Sequence, residues 1–121
     1  GFYLVPFVAP TTTGRRLEAV GAAAQDGAFI YLVSLRGITG AHLRASANRE
    51  LADLTRAIRR VTHAPVYVGF GVSGGADAAR LARCADGVIV GTAALRALGR
   101  GLLPFARLMR ELRSSLDRSS S

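Results

Sequence analysis

Pro65-Val66-Tyr67-Val68-Gly69-Phe70-Gly71-Val72-Ser73 begins as a buried strand and ends as a glycine turn. The pattern returns at Gly87-Val88-Ile89-Val90, closed by Gly91-Thr92. A helix-like segment follows each turn. Glycine at a strand end lets backbone N–H groups approach a ligand with no Cβ in the way, and a helix N-terminus attracts anions. Two adjacent strand–glycine–helix units are the pattern of a phosphate clamp at the carboxyl end of a parallel barrel.

The same pattern extends toward the N-terminus. Leu4-Val5-Pro6-Phe7-Val8 and Phe29-Ile30-Tyr31-Leu32-Val33 are also short, β-branched or aromatic, and without polar alternation. Such runs read as parallel strands covered on both faces. Helical stripes separate them: Leu17, Val20 and Ala24 within 15–25, then Leu51, Leu54, Ile58 and Val61 within 48–62. Ser73 is placed to cap a helix from Gly75 to about Arg83. A short helix is expected from Ala93 to Leu98. Pro104 suits the first turn of a last helix, with Phe105, Leu108, Met109, Leu112 and Leu116 facing inward. The order is β-α-β-α-β-α-β-α, an α/β chain with right-handed crossovers. It predicts a parallel half-barrel: four βα units of a TIM (β/α)8 barrel, one domain over 1–121 with a disordered tail at about 118–121. Such a half-barrel leaves two strand edges open, an association liability. A segment of a longer protein, or a half-barrel that pairs with a second copy, accounts for it.

Composition narrows the chemistry. Half of the 121 residues are apolar, enough for a core, and no apolar run approaches the length of a membrane span. The net charge of +8 comes from 16 basic residues, all of them Arg, set mostly on polar helix faces and without interleaved aromatics. This is a solvated surface rather than a nucleic-acid platform. With no Lys, neither Schiff-base chemistry nor a P-loop is available. Cys84 is the lone cysteine and lies in a helix-like stretch, so no disulfide framework exists and a buried, inert thiol is expected. His42 and His63 have no partner at ligand spacing, so no metal is expected. Ser34 and Ser73 lack a His–Asp context.

Four segments, taken together, resemble the tryptophan synthase α subunit family: 4–12, Phe29 to Gly40 with its Ser34-x-x-Gly37-Ile38-Thr39-Gly40 loop, Gly69 to Ser73, and 86–93. The resemblance covers nearly the whole chain and implies barrel units five to eight. It implies a cytoplasmic carbon–carbon lyase of tryptophan biosynthesis. The family cleaves indole-3-glycerol phosphate to indole and glyceraldehyde 3-phosphate, with a β subunit as partner and no cofactor. By the resemblance, Gly40, Gly71, Gly91 and Thr92 hold the substrate phosphate. Gly69 and Phe70 shape the wall beneath it, Tyr31 lies near the glycerol moiety, and Thr39 is a lid residue supporting a catalytic Asp. The family's catalytic Glu and Asp belong to the first half of the barrel and have no counterpart in this chain. The chain's own acids are expected mostly on helices and helix-to-strand turns away from the ligand end. The isolated chain is therefore expected to bind phosphate and not to cleave substrate. The alternative is a non-catalytic half-barrel module that binds a phosphorylated metabolite or self-associates. Another phosphate-binding barrel fits less well, because such enzymes place a Lys or Asp on strand ends.

Overall fold

The computed structural model describes residues 2–24, 27–33, 41–69 and 72–119, with backbone alone for 41–46 and 119. In chain order it contains β1 (Phe7–Val8), α1 (Gly14–Ala23), β2 (Ile30–Val33), α2 (Ala41–Val61), β3 (Val66–Gly69), α3 (Gly75–Ala82), β4 (Gly87–Val88), α4 (Thr92–Arg100) and α5 (Leu102–Ser119). The strands form one parallel sheet in the order β1-β2-β3-β4. Sequential parallel strands, each followed by a helix, are the winding of a (β/α)8 barrel, and the sheet is a fragment of one.

Register settles which residues share a face. Phe7, Tyr31, Tyr67 and Gly87 stand side by side across the sheet, and Val8, Leu32, Val68 and Val88 form the next row. Val8, Ile30, Leu32, Val66 and Val68 are buried against Leu17 of α1, Leu51 and Ile58 of α2, Ala78 and Leu81 of α3, and Leu112 of α5. Full burial of each such aliphatic side chain stabilises by about 1.5–3 kcal/mol. The opposite face is uncovered: Phe7 is 61% exposed, and Tyr31 and Tyr67 are half-buried. The expectation of strands buried on both faces is thus corrected. Helices cover one face, and among the described residues no layer lies against the other. Ring contacts, Phe7 on Tyr31 at 4.7 Å and Phe29 on Tyr67 at 4.9 Å, tie that open face together.

Several boundaries differ from the sequence reading: β1 begins at Phe7 rather than Leu4, and α4 spans Thr92–Arg100 rather than Ala93 to Leu98. α2 starts at Ala41 rather than Asn48, because residues 41–47 favour helix without carrying the apolar stripe that the periodicity detects. β4 ends at Val88, although the Ile89 N–H still donates to the Val68 carbonyl at 2.8 Å. α5 runs through Ser119, so Arg118 is helical and not part of a loose tail; it donates to the hydroxyls of Ser114 (2.9 Å) and Ser115 (3.3 Å). Ser120 and Ser121 lie outside the described residues. Among the described residues no helix is long and apolar enough to cross a membrane.

Candidate functional site

Because the four strands are parallel, their carboxyl ends share one rim, and α3 and α4 both begin there. The two helix starts differ in what occupies them. Each helix leaves its first N–H groups without an intrahelical partner. At α3 the chain supplies its own acceptors. Glu111 Oε1 accepts from the Gly75 N–H at 2.7 Å. Asp77 Oδ2 accepts from the Ser73 N–H at 3.1 Å and from its hydroxyl at 2.6 Å. Ser73 therefore does not cap α3 as expected: the N-cap is Gly74, no side chain caps the helix in the usual way, and the Ser73 hydroxyl donates instead of accepting. Partial burial pushes the Asp77 carboxyl up, but hydrogen bonds from Ser73 and Arg80 outweigh it and hold the group below the ordinary aspartate value.

At α4 the start is bare. Gly91 is the N-cap with no side-chain cap, and the first turn carries no acidic residue. The first intrahelical bond is from the Leu95 N–H to the Gly91 carbonyl at 3.0 Å, which leaves the N–H groups of Thr92, Ala93 and Ala94 to other partners. A Cβ at Gly91 would meet nothing within 4 Å, and both Gly91 and Thr92 are exposed. This end can hold an anion by backbone N–H donation, helix dipole and one hydroxyl.

Tyr31 lies on the open sheet face, stacked on Phe7, with its hydroxyl over Gly69. A Cβ at Gly69 would come within 2.3 Å of that hydroxyl, so glycine there is what admits the tyrosine. Thr39, Gly40, Phe70 and Gly71 lie outside the described residues. The described site is therefore Tyr31 with Gly69 on the inner wall, and Gly91 with Thr92 at the rim.

Sequence reasoning, which set most of the acids elsewhere, did not single out Asp77 and Glu111 at the ligand end. Asp77 had a legible signal as an acid in a helix first turn. Glu111 had none, since its partner Gly75 is 36 residues away. Asp86 is at the opposite end, accepting from the Val66 N–H at 2.9 Å and from Arg59 at 3.0 Å. Cys84 is half-buried rather than buried. Burial pushes its thiol up against the pull of Arg80 and Arg83, which disfavours the thiolate a nucleophile needs. Among the described residues no group of three or more His, Cys, Asp or Glu could hold a metal ion.

A family model described as tryptophan synthase alpha chain matches residues 1–117. The chain belongs to the tryptophan synthase alpha chain family. It is 44% identical to the tryptophan synthase alpha chain of Synechococcus elongatus over 121 residues, covering 98% of this chain and 44% of that one. It is 43% identical to that of Chloroflexus aggregans, covering 95% of this chain and 43% of the relative. Among solved structures, tryptophan synthase subunit alpha from Campylobacter jejuni superposes with a TM-score of 0.80 at 33% identity, over 92% of this chain and 44% of that one. The chain thus spans less than half the length of the tryptophan synthase alpha chains it matches.

Proposed function

We propose that this chain supplies barrel units five to eight of a tryptophan synthase α subunit, and that within them it holds the phosphate of indole-3-glycerol phosphate. The observation that carries the reading is the uncapped, acid-free start of α4 at the carboxyl end of β4, with Gly91 open and Thr92 exposed. At the neighbouring α3 start the Glu111 carboxylate takes the Gly75 N–H and the Asp77 carboxylate stands beside it on Ser73, so a ligand anion is directed to α4. There the free N–H groups and the Thr92 hydroxyl donate to phosphate oxygens. Gly40 and Gly71 join them in this proposal, with Phe70 on the wall, Thr39 as the lid residue and Tyr31 along the glycerol portion. The whole subunit is then a carbon–carbon lyase of tryptophan biosynthesis acting in the cytoplasm with a β subunit.

Cleavage needs one group to protonate the indole ring and another to take the proton of the glycerol hydroxyl. Among the described acids, Glu18 and Glu50 are exposed on α1 and α2, Asp77 and Glu111 serve the start of α3, and Asp86 bonds Arg59 and the Val66 N–H. Asp53 pairs with Arg56 and Asp117 with Arg113. We therefore assign the acid/base work to residues outside this chain and expect no indole from the isolated chain.

The test is titration of inorganic phosphate into the chain, followed by amide NMR. Shifts at Gly91 and Thr92 that saturate, and that weaken roughly tenfold or more in Thr92→Val for one lost hydrogen bond to a charged group, are expected. Unmoved Gly91 and Thr92 amides would remove the phosphate reading. Indole release from indole-3-glycerol phosphate by the chain alone would refute the assignment of catalysis elsewhere.

A further inference from the structure

α4 is poorly anchored by its own side chains. Ala97 is its only buried residue, while Leu95 and Leu98 are exposed. Its placement comes from α5, which follows after Gly101 alone. Gly101 has a φ of 128°, in the region that favours glycine. Hydrogen bonds from the Gly101 N–H to Leu98 (3.0 Å) and from the Phe105 N–H to Gly101 (3.3 Å) fix the corner. α5 is therefore the platform from which α4 offers its N-terminus.

α5 is itself held against α3 at a specific polar point. The Glu111 carboxylate accepts the first free N–H of α3, at Gly75, a helix start that lacks a side-chain cap of its own. The approach is close: a Cβ at Gly75 would come within 2.4 Å of Ser115 Oγ and 3.0 Å of Glu111 Cγ. Leu112 and Ser115 are buried beside it. Apolar packing of Leu108, Leu112 and Leu116 tolerates small rotations of α5, whereas one directional, charge-assisted hydrogen bond does not.

We propose that Glu111 is a positioning residue for the anion site: it clasps α5 to the start of α3 and so sets the angle and depth at which α4 presents Gly91 and Thr92. The carboxylate acts through the helices and makes no contact with the anion. The proposal rests on the reading of the α4 start as a phosphate site.

Inorganic phosphate is titrated into wild type, Glu111→Ala, Glu111→Gln, Glu111→Asp and Thr92→Val, reading the Gly91 and Thr92 amides, with a thermal melt for each. Glu111→Ala is expected to weaken phosphate roughly three- to tenfold, the usual scale of coupling through packed elements. Glu111→Gln keeps an acceptor oxygen at the same reach and restores most of the affinity. Glu111→Asp keeps the charge, falls a methylene short of Gly75, and is weakened like Ala; it replaces Ala if that variant does not fold. Ile58→Val, a core change remote from both helix starts, lowers the melting temperature without moving the affinity, which separates positioning from general stability. Wild-type affinity in Glu111→Asp or Glu111→Ala, alongside a weakened Thr92→Val, would overturn the positioning role and leave the phosphate site standing. Unresponsive Gly91 and Thr92 amides in wild type would overturn both.

Discussion

Tyr31 and Gly69 are each ordinary in isolation and constrained as a pair. The tyrosine ring lies where a side chain on Gly69 would be, with Oη, Cζ and Cε1 all within 2.8 Å of an added Cβ. Gly69→Ala is therefore expected to displace Tyr31 or the end of β3, at a cost of about 1–3 kcal/mol for overpacking. Urea unfolding checks the cost, and tyrosine fluorescence, readable because the chain has no Trp, checks the displacement. Combining Gly69→Ala with Tyr31→Ala should cost less than the sum of the two changes, since the clash exists only when both side chains are present. Additive losses would show that they do not meet. At this scale the sequence was informative about residue type and less about partnership. Gly69 reads as a turn glycine beside a ligand, and its packing against Tyr31 needed the β2–β3 register. Glu111 reads as one acid among eight, and its bond to Gly75 needed the packing of α5 on α3.

Among the elements, α3 shows how a short helix is held at a working rim. Leu81 is its main apolar anchor, 1% exposed in the core, and Leu81→Ala is expected to cost about 2–5 kcal/mol, readable by chemical denaturation. Its start carries the Asp77 carboxylate, which makes it sensitive to acid. The Asp77 carboxyl titrates lower in the folded chain than in the unfolded one, so its contribution is fully present above the unfolded value, near pH 4. It is lost as pH falls through the folded value. Between pH 5 and pH 2 or so, Asp77→Asn should flatten part of the wild-type decline in stability; an unchanged acid limb would show that Asp77 contributes nothing there. Helix existence was legible in the sequence wherever an apolar stripe ran, as in α5, whose Leu108, Met109, Leu112 and Leu116 pack on the core, with Phe105 half-buried. Periodicity detects burial, so the first turns of α2, which carry no stripe, were not legible. The capping at Ser73 was misread for a related reason. A serine before a helix can accept or donate, and Asp77 decides which.

The whole molecule has more surface than its mass warrants. Its accessible area is 7943 Å², whereas a compact monomer of 12.7 kDa exposes about 6,200 Å². Large apolar side chains are exposed in two places, at Phe2, Tyr3, Leu4 and Phe7 near β1 and at Leu95, Leu98, Leu102 and Leu103 around the α4–α5 corner. The isolated 121-residue chain is expected to bind a hydrophobic dye and to associate with rising concentration, read by sedimentation. A monomeric chain with no dye binding would show that these surfaces close on themselves. The sequence by itself determined the α/β order, the parallel winding, the family, and the rim positions Gly91 and Thr92. These follow from local patterns: strand runs closed by glycine, stripes of helical period, and segments in the family's order. Tertiary structure alone decided which sheet face is covered, which helix start is free for an anion, and that Glu111 binds Gly75. Those outcomes depend on contacts between residues far apart in the chain, and local periodicity carries no record of such pairings.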